Sequence, residues 1–254
     1  MIPGSNGHPA DPDSTPPQRA SLVAARVVAV IEVLLCSDII TQSAIGNTLL
    51  ALGYRAKLPS GALNVGYVVA LSLCDAVLLI GLIFVLLYAH GERPRALFLG
   101  RRPIVSEGIF GLLLIPLAFG IAVAVILTVR RFAPSLHNVD QNPLQGLLNS
   151  PRDAWLFALV VLVAGGVREE IQRAFVLHRF DVWLGGGTVG LIVGSIAFGA
   201  GHLVQGYDAA ITTGLLGLFW GFVYLRRRSV VAPIVSHSGF NLFQMLQYLA
   251  FVGR

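Results

Sequence analysis

Apolar residues along this chain of 254 residues come in long runs separated by short polar stretches. A run of roughly 20 apolar residues is long enough to cross a bilayer as a helix, and about seven runs qualify. They cover Leu22 to about Thr48, Val65–Tyr88, Gly108–Val129, Ala154–Phe180, about Thr188–Val204, about Ala209–Leu225 and Val230–Phe251. The first is long enough for a tilted helix or for a helix followed by a re-entrant turn. The pattern predicts an all-α fold, a polytopic transmembrane helical bundle of about seven to eight spans. Residues 1–20 are rich in Pro, Gly, Asp and Ser and read as a disordered tail. The tail lacks the basic start of a secretory signal, so the first run is expected to stay as an anchor. Residues 21–254 are expected to form a single transmembrane domain. Gly186, Gly190 and Gly194 form a small-residue row of the kind that lets helices approach closely.

Composition supports the membrane reading. Hydrophobic residues make up 55% of the chain and charged residues 12%, against about 25% charged in soluble domains. The net charge of +5 is carried mostly by arginine, with Lys57 the only lysine. These cations cluster between apolar runs, as topology signals do, and form no continuous face for nucleic acid. The loop arginines Arg93, Arg95, Arg101 and Arg102, then Arg179, then Arg226 to Arg228 fall on one side if there are seven spans. That side is expected to be the cytoplasm of a bacterial inner membrane, with the N-terminus also inside. Cys36 and Cys74 lie within apolar runs and read as small buried hydrophobes.

The costly residues are those inside the runs. A carboxylate in hydrocarbon costs a few kcal/mol or more unless it faces protein and finds a partner. Glu169 and Glu170 stand together in the fourth run, with Arg173 one helical turn away. Later runs carry Phe198 with His202, and His237 with Asn241, each pair at a spacing of four that shares a helix face. Glu169 lies roughly 15 Å from the near end of its span, and His237 and Asn241 roughly 10 and 16 Å from theirs. His202 comes out deeper, at about 20 Å, and joins them only if its helix starts late or tilts. Two carboxylates, two imidazoles and an amide suit peptide hydrolysis, with a carboxylate as base and N–H donors for the oxyanion. They also suit a zinc site that activates water, although His-Glu-x-x-His is absent. The bland readings are a surface pair for the glutamates, an interfacial His202 and interhelical hydrogen bonding by His237 and Asn241. Glu32, Asp38 and Asp75 are further intramembrane acids that line the same cavity or pair with arginines of the second half. His178 reads as interfacial, and Asp208 as a cap for the helix that follows it.

These residues resemble the CAAX-protease and bacteriocin-processing family of intramembrane proteases, also called CPBP or abortive-infection proteins. That family carries Glu-Glu-x-x-x-Arg, Phe-x-x-x-His and His-x-x-x-Asn/Asp, in that order, on successive membrane helices. Phe198-Gly-Ala-Gly-His202 and His237-Ser-Gly-Phe-Asn241 match the second and third at every defined position. The first departs, because the arginine stands at Arg173 and Ala174 holds the family's position. The resemblance runs from about Trp155 to Leu246 and implies a protease-like core over about residues 152–252. It implies Glu169 as general base, Glu170 as its support, His202 in water activation, and His237 and Asn241 at the oxyanion. Arg173 and Phe198 would support them. Because the family has been described both as metal-dependent and as glutamate-type, zinc on Glu170, His202 and His237 is the implied alternative. The implied substrate is a membrane-embedded or lipid-anchored protein or peptide near the cytoplasmic face, handled as in CAAX processing. The rival classes are a non-catalytic membrane immunity or scaffold protein that keeps the fold, and an ion-coupled transporter. No internal repeat supports the latter.

Overall fold

A computed structural model describes residues 19–140, 142–148 and 150–251. The tail expected over residues 1–20 therefore lies almost wholly outside the described residues. Among them the chain is helical, with one isolated bridge between Lys57 and Leu63 and no strand. The helices are α1 (Arg19–Leu35), α2 (Asp38–Ala51), α3 (Val65–Ala89), α4 (Pro94–Phe98), α5 (Ile104–Phe132), α6 (Pro151–Leu162), α7 (Glu169–Trp183), α8 (Gly187–Ala200), α9 (Tyr207–Arg227) and α10 (Val231–Phe251). Helices α3, α5 and α9 are each long and apolar enough to cross a membrane, and α8 is a shorter apolar helix. The protein is an all-α membrane bundle, as the apolar runs predict.

Three runs differ from their simplest reading. The first breaks at Ser37, whose extended backbone ends one helix and starts the next. Its hydroxyl donates to the Leu34 carbonyl at 2.6 Å, which satisfies a group freed at the end of α1. The fourth is one continuous rod with a π-helical segment, Val163–Arg168, between α6 and α7. The fifth ends as a helix at Ala200, so His202 sits beyond α8, in the turn before a 3-10 segment at Leu203–Gln205. The glycine row is only partly a packing device. A Cβ on Gly190 would meet Phe180 Cβ at 2.5 Å, whereas Gly194 faces open space.

Local chemistry sets the helix ends. Asn64 caps α3 by accepting from the Tyr67 amide, and Ser150 caps α6 by accepting from the Asp153 amide, with Pro151 in the first turn. Gly186 and Gly206 turn the chain into α8 and α9 at φ of 100° and 114°, where a side chain would be strained. Asp208 lies in the first turn of α9, two residues past its cap at Gly206, and accepts from the Ala209 amide at 2.9 Å.

The bundle has two distinct ends. At one, the Val230 amide donates to the Phe98 carbonyl at 2.8 Å, Arg228 pairs with Asp181, and Arg227 pairs with the fully buried Glu107. His178 is part of this end through Glu92 at 3.2 Å. The arginine loops therefore gather on one side, as the charge pattern predicts. At the other end the segment after α5 meets the start of α9. Asn138 accepts from the Tyr207 amide, His137 contacts Asp208 at 2.8 Å, and Asn142 donates to Gln205. Outward faces are apolar: Val77 is 76% exposed, Leu113 69% and Ile196 68%. A soluble surface rarely shows such continuous apolar area, and lipid accounts for it.

Candidate active site

Glu169 and Glu170 open α7, immediately after the π segment. That segment contains Gly165 and Gly166, whose missing side chains admit α10. A Cβ on Gly165 would meet Asn241 Nδ2 at 2.9 Å, and one on Gly166 would fall on Ser238. The close approach places His237 between the two glutamates. Its Nδ1 contacts Glu170 Oε1 at 2.8 Å, and its Nε2 lies 3.8 Å from Glu169 Oε2. The carboxylate accepts, so Nδ1 carries the hydrogen and Nε2 of the neutral ring keeps a lone pair. Arg173 donates to the same Glu170 oxygen. The arginine one residue early still reaches its carboxylate, because positions three and four along a helix share a face. Glu170 is 1% exposed, and a buried anion at that depth requires this partner.

Phe198 joins the elements. The Arg173 guanidinium lies 4.6 Å above its ring, and the rings of His202 and His237 meet it edge-on at 5.0 and 6.1 Å. His202 Nδ1 donates to the Phe198 carbonyl at 2.8 Å, which fixes its tautomer and leaves Nε2 as an acceptor. Asn241 Nδ2 donates to the Gly165 carbonyl at 3.4 Å and retains a second N–H. Glu169, His202, His237 and Asn241 all line one cavity of about 750 Å³. Counted from the observed helix ends at Trp183 and Gly187, Glu169 and His202 are nearly level, at about 21 and 22 Å. The apparent excess depth of His202 came from ending the Glu helix too early.

The cavity runs from these residues to the end that carries His137, Asn142, Gln205 and Asp208. No residue of the arginine-rich end lines it. The cavity therefore extends toward the end opposite the arginine loops.

Several contributors carry no motif of their own. Trp220 stacks on His237 at 3.8 Å with an interplanar angle of 16°, and its Nε1 donates to Ser236 at 3.1 Å. In the sequence it is one more apolar position of α9. Arg168 is 4% exposed and bonds Asp38, Asp75 at 2.9 Å and Glu169 at 3.3 Å. The intramembrane acids thus pair with arginines of the second half: Asp38 and Asp75 with Arg168, and Glu32 with Arg179. The signal was charge balance, since a lone acid in a span demands a cation.

The donor set does not fit the zinc alternative. Glu170 Oε1 is shared by the Arg173 guanidinium and His237 Nδ1, so a metal there would compete with a fixed cation. Among the described residues no group of three His, Cys, Asp or Glu stands at ligating spacing.

No curated protein and no solved structure matches the chain. Residues 151–243 match the family model described as type II CAAX prenyl endopeptidase Rce1-like. The matched stretch starts with α6 and ends just past Asn241, so it holds the whole constellation. The similarity of this chain to type II CAAX prenyl endopeptidase Rce1-like proteins is therefore carried by these residues.

Proposed function

We propose that this protein is an intramembrane endopeptidase of glutamate type, which hydrolyses a peptide bond near the C-terminus of a lipid-modified protein. The observation that carries the proposal is His237 set between Glu169 and Glu170 on the wall of a deep cavity. Water about 2.8 Å from both Glu169 Oε2 and His237 Nε2 closes a triangle on their 3.8 Å separation. Glu169 takes one proton as the water oxygen attacks the carbonyl carbon. The displaced carbonyl electrons go to oxygen, where the free N–H of Asn241 donates. Collapse breaks the C–N bond, and Glu169 returns its proton to the leaving nitrogen. Glu170 and Arg173 hold the His237 ring so that Nε2 faces Glu169. Glu170 thus orients the ring, and the water is shared by Glu169 and His237 where the family resemblance implied His202.

A cavity that carries these polar side chains within an apolar bundle suits a substrate whose lipid lies in the bilayer while its peptide enters from the mouth. The Rce1-like domain suggests a prenyl-cysteine peptide. The test is purified protein in liposomes with a quenched peptide ending in a farnesylated Cys-a-a-X segment. Cleavage is expected to fall by about 100-fold or more in Glu169→Gln and in His237→Ala. Wild-type turnover by Glu169→Gln in folded protein overturns the assignment.

A further inference from the structure

Helices α2 and α3, outside the matched stretch, reach Glu169 through Arg168. Asp75 sits in the middle of α3, a helix of 25 residues, and is 1% exposed. Asp38 sits in the first turn of α2, where the helix dipole favours an anion. Both bond Nη1 of Arg168, and the same guanidinium donates through Nη2 to Glu169 Oε1. Arg168 also donates through Nε to the Ala164 carbonyl within the π segment at 3.4 Å. Every arm of the fork is therefore held, and the residue before the glutamates cannot swing independently.

The contacts are unequal in a useful way. Arg168 lies 2.9 Å from Asp75 and 3.3 Å from Glu169. A tight bidentate clamp on Glu169 would occupy both of its oxygens and leave little to receive a proton. Instead Arg168 takes one oxygen at the longer distance and leaves Oε2 beside His237 Nε2. Three carboxylates share the one guanidinium, and the two aspartates hold most of it.

We infer that Asp38 and Asp75 on the N-terminal helices position Glu169 through Arg168, so that α2 and α3 belong to the working site although they supply no catalytic residue. The inference rests on Glu169 acting as the base. Its consequence is that Asp38 and Asp75 set turnover, not substrate affinity. Neither helix contributes a carboxylate to the cavity wall.

The test measures kcat and KM separately on the full chain in liposomes, with the same farnesylated peptide and with thermal midpoints recorded. Asp75→Asn and Arg168→Gln are expected to lower kcat by about 10-fold or more while KM stays within about twofold. Arg168→Lys keeps charge but loses the fork, and should recover part of that loss. The Asp75→Asn/Arg168→Gln double variant should be no slower than Arg168→Gln alone, since both act along one chain of contacts. Asp38 is 39% exposed in its side chain, so Asp38→Asn disturbs folding least and decides the matter if the buried variants do not fold. A wild-type kcat in folded Asp38→Asn and Asp75→Asn, with Glu169→Gln inactive, overturns this inference alone. An active Glu169→Gln overturns the base assignment as well. A raised KM at unchanged kcat also overturns it, because affinity would then be what the aspartates control.

Discussion

Replacing Gly166 by alanine tests whether the site depends on the contact between the π segment and α10. A Cβ at Gly166 falls on the Ser238 hydroxyl and lies 3.0 Å from Ser238 Cβ and 3.3 Å from its Cα. Carbon atoms at rest sit about 3.5–4.0 Å apart, so α10 must retreat by roughly 0.5–1 Å. Overpacking of this kind costs about 1–3 kcal/mol. The functional effect is larger than the loss of stability, because Ser238 adjoins His237. Moving the ring by that much stretches its 2.8 Å contact with Glu170 beyond hydrogen-bond length. A shift of about 1 Å in a reacting group can cost about 100-fold in rate. Turnover of the farnesylated peptide is expected to fall on that scale, with a lower thermal midpoint in detergent. Ser238→Gly removes the hydroxyl and Cβ and leaves only Cα, at 3.3 Å, so the double variant should regain most of the lost rate. Wild-type kcat in Gly166→Ala would refute the argument. So would a folded Gly166→Ala/Ser238→Gly protein that stays as slow as the single variant.

Other outcomes follow from the same geometry. Trp220→Leu removes the stacking surface under His237 and the donor to Ser236; a fall in kcat of about 10-fold or more is expected by steady-state kinetics. Dialysis against a strong zinc chelator should leave cleavage unchanged, since Arg173 already holds Glu170; loss of activity restored by zinc would refute the glutamate-type mechanism. Asp208→Asn weakens the tie to His137 and Arg130 at the cavity mouth; limited proteolysis should then cut faster between α5 and α6 at an unchanged midpoint. In a cysteine-free background, Ser135→Cys and Arg101→Cys should be labelled by an impermeant maleimide from opposite faces of the membrane. Labelling from the same face would contradict the separation of mouth and arginine-rich end.

Two polar pairs were legible because helical periodicity carries a short spacing directly into a shared face. Glu170 with Arg173 and His237 with Asn241 needed only that rule, whereas Phe198 meets His202 across the end of α8. The buried acids were legible as an imbalance: Asp75 inside an apolar run called for a cation, and Arg168 answers it. Lateral packing was not legible. Nothing in the apolar run of α9 marks Trp220 as the residue that meets His237. The break at Ser37 and the early end of α8 depend on a few backbone hydrogen bonds, which composition over a long window averages away. The direction in which the cavity extends depends on how whole helices pack, which loop charge does not record.

The π segment has a consequence for insertions and deletions. A π turn holds one residue more than the helical turn it replaces, and Val163–Arg168 absorbs that surplus between two regular stretches. Deleting any single residue there would let the rod wind as an uninterrupted α-helix. It would leave Glu169 and Glu170 facing as they do relative to α6, because the π turn has already taken up the rotation of the surplus residue. What it would remove is the widened turn in which Gly165 and Gly166 admit α10, so a sequence with the whole constellation but one residue fewer here would keep the aim of its glutamates and change the seat of His237.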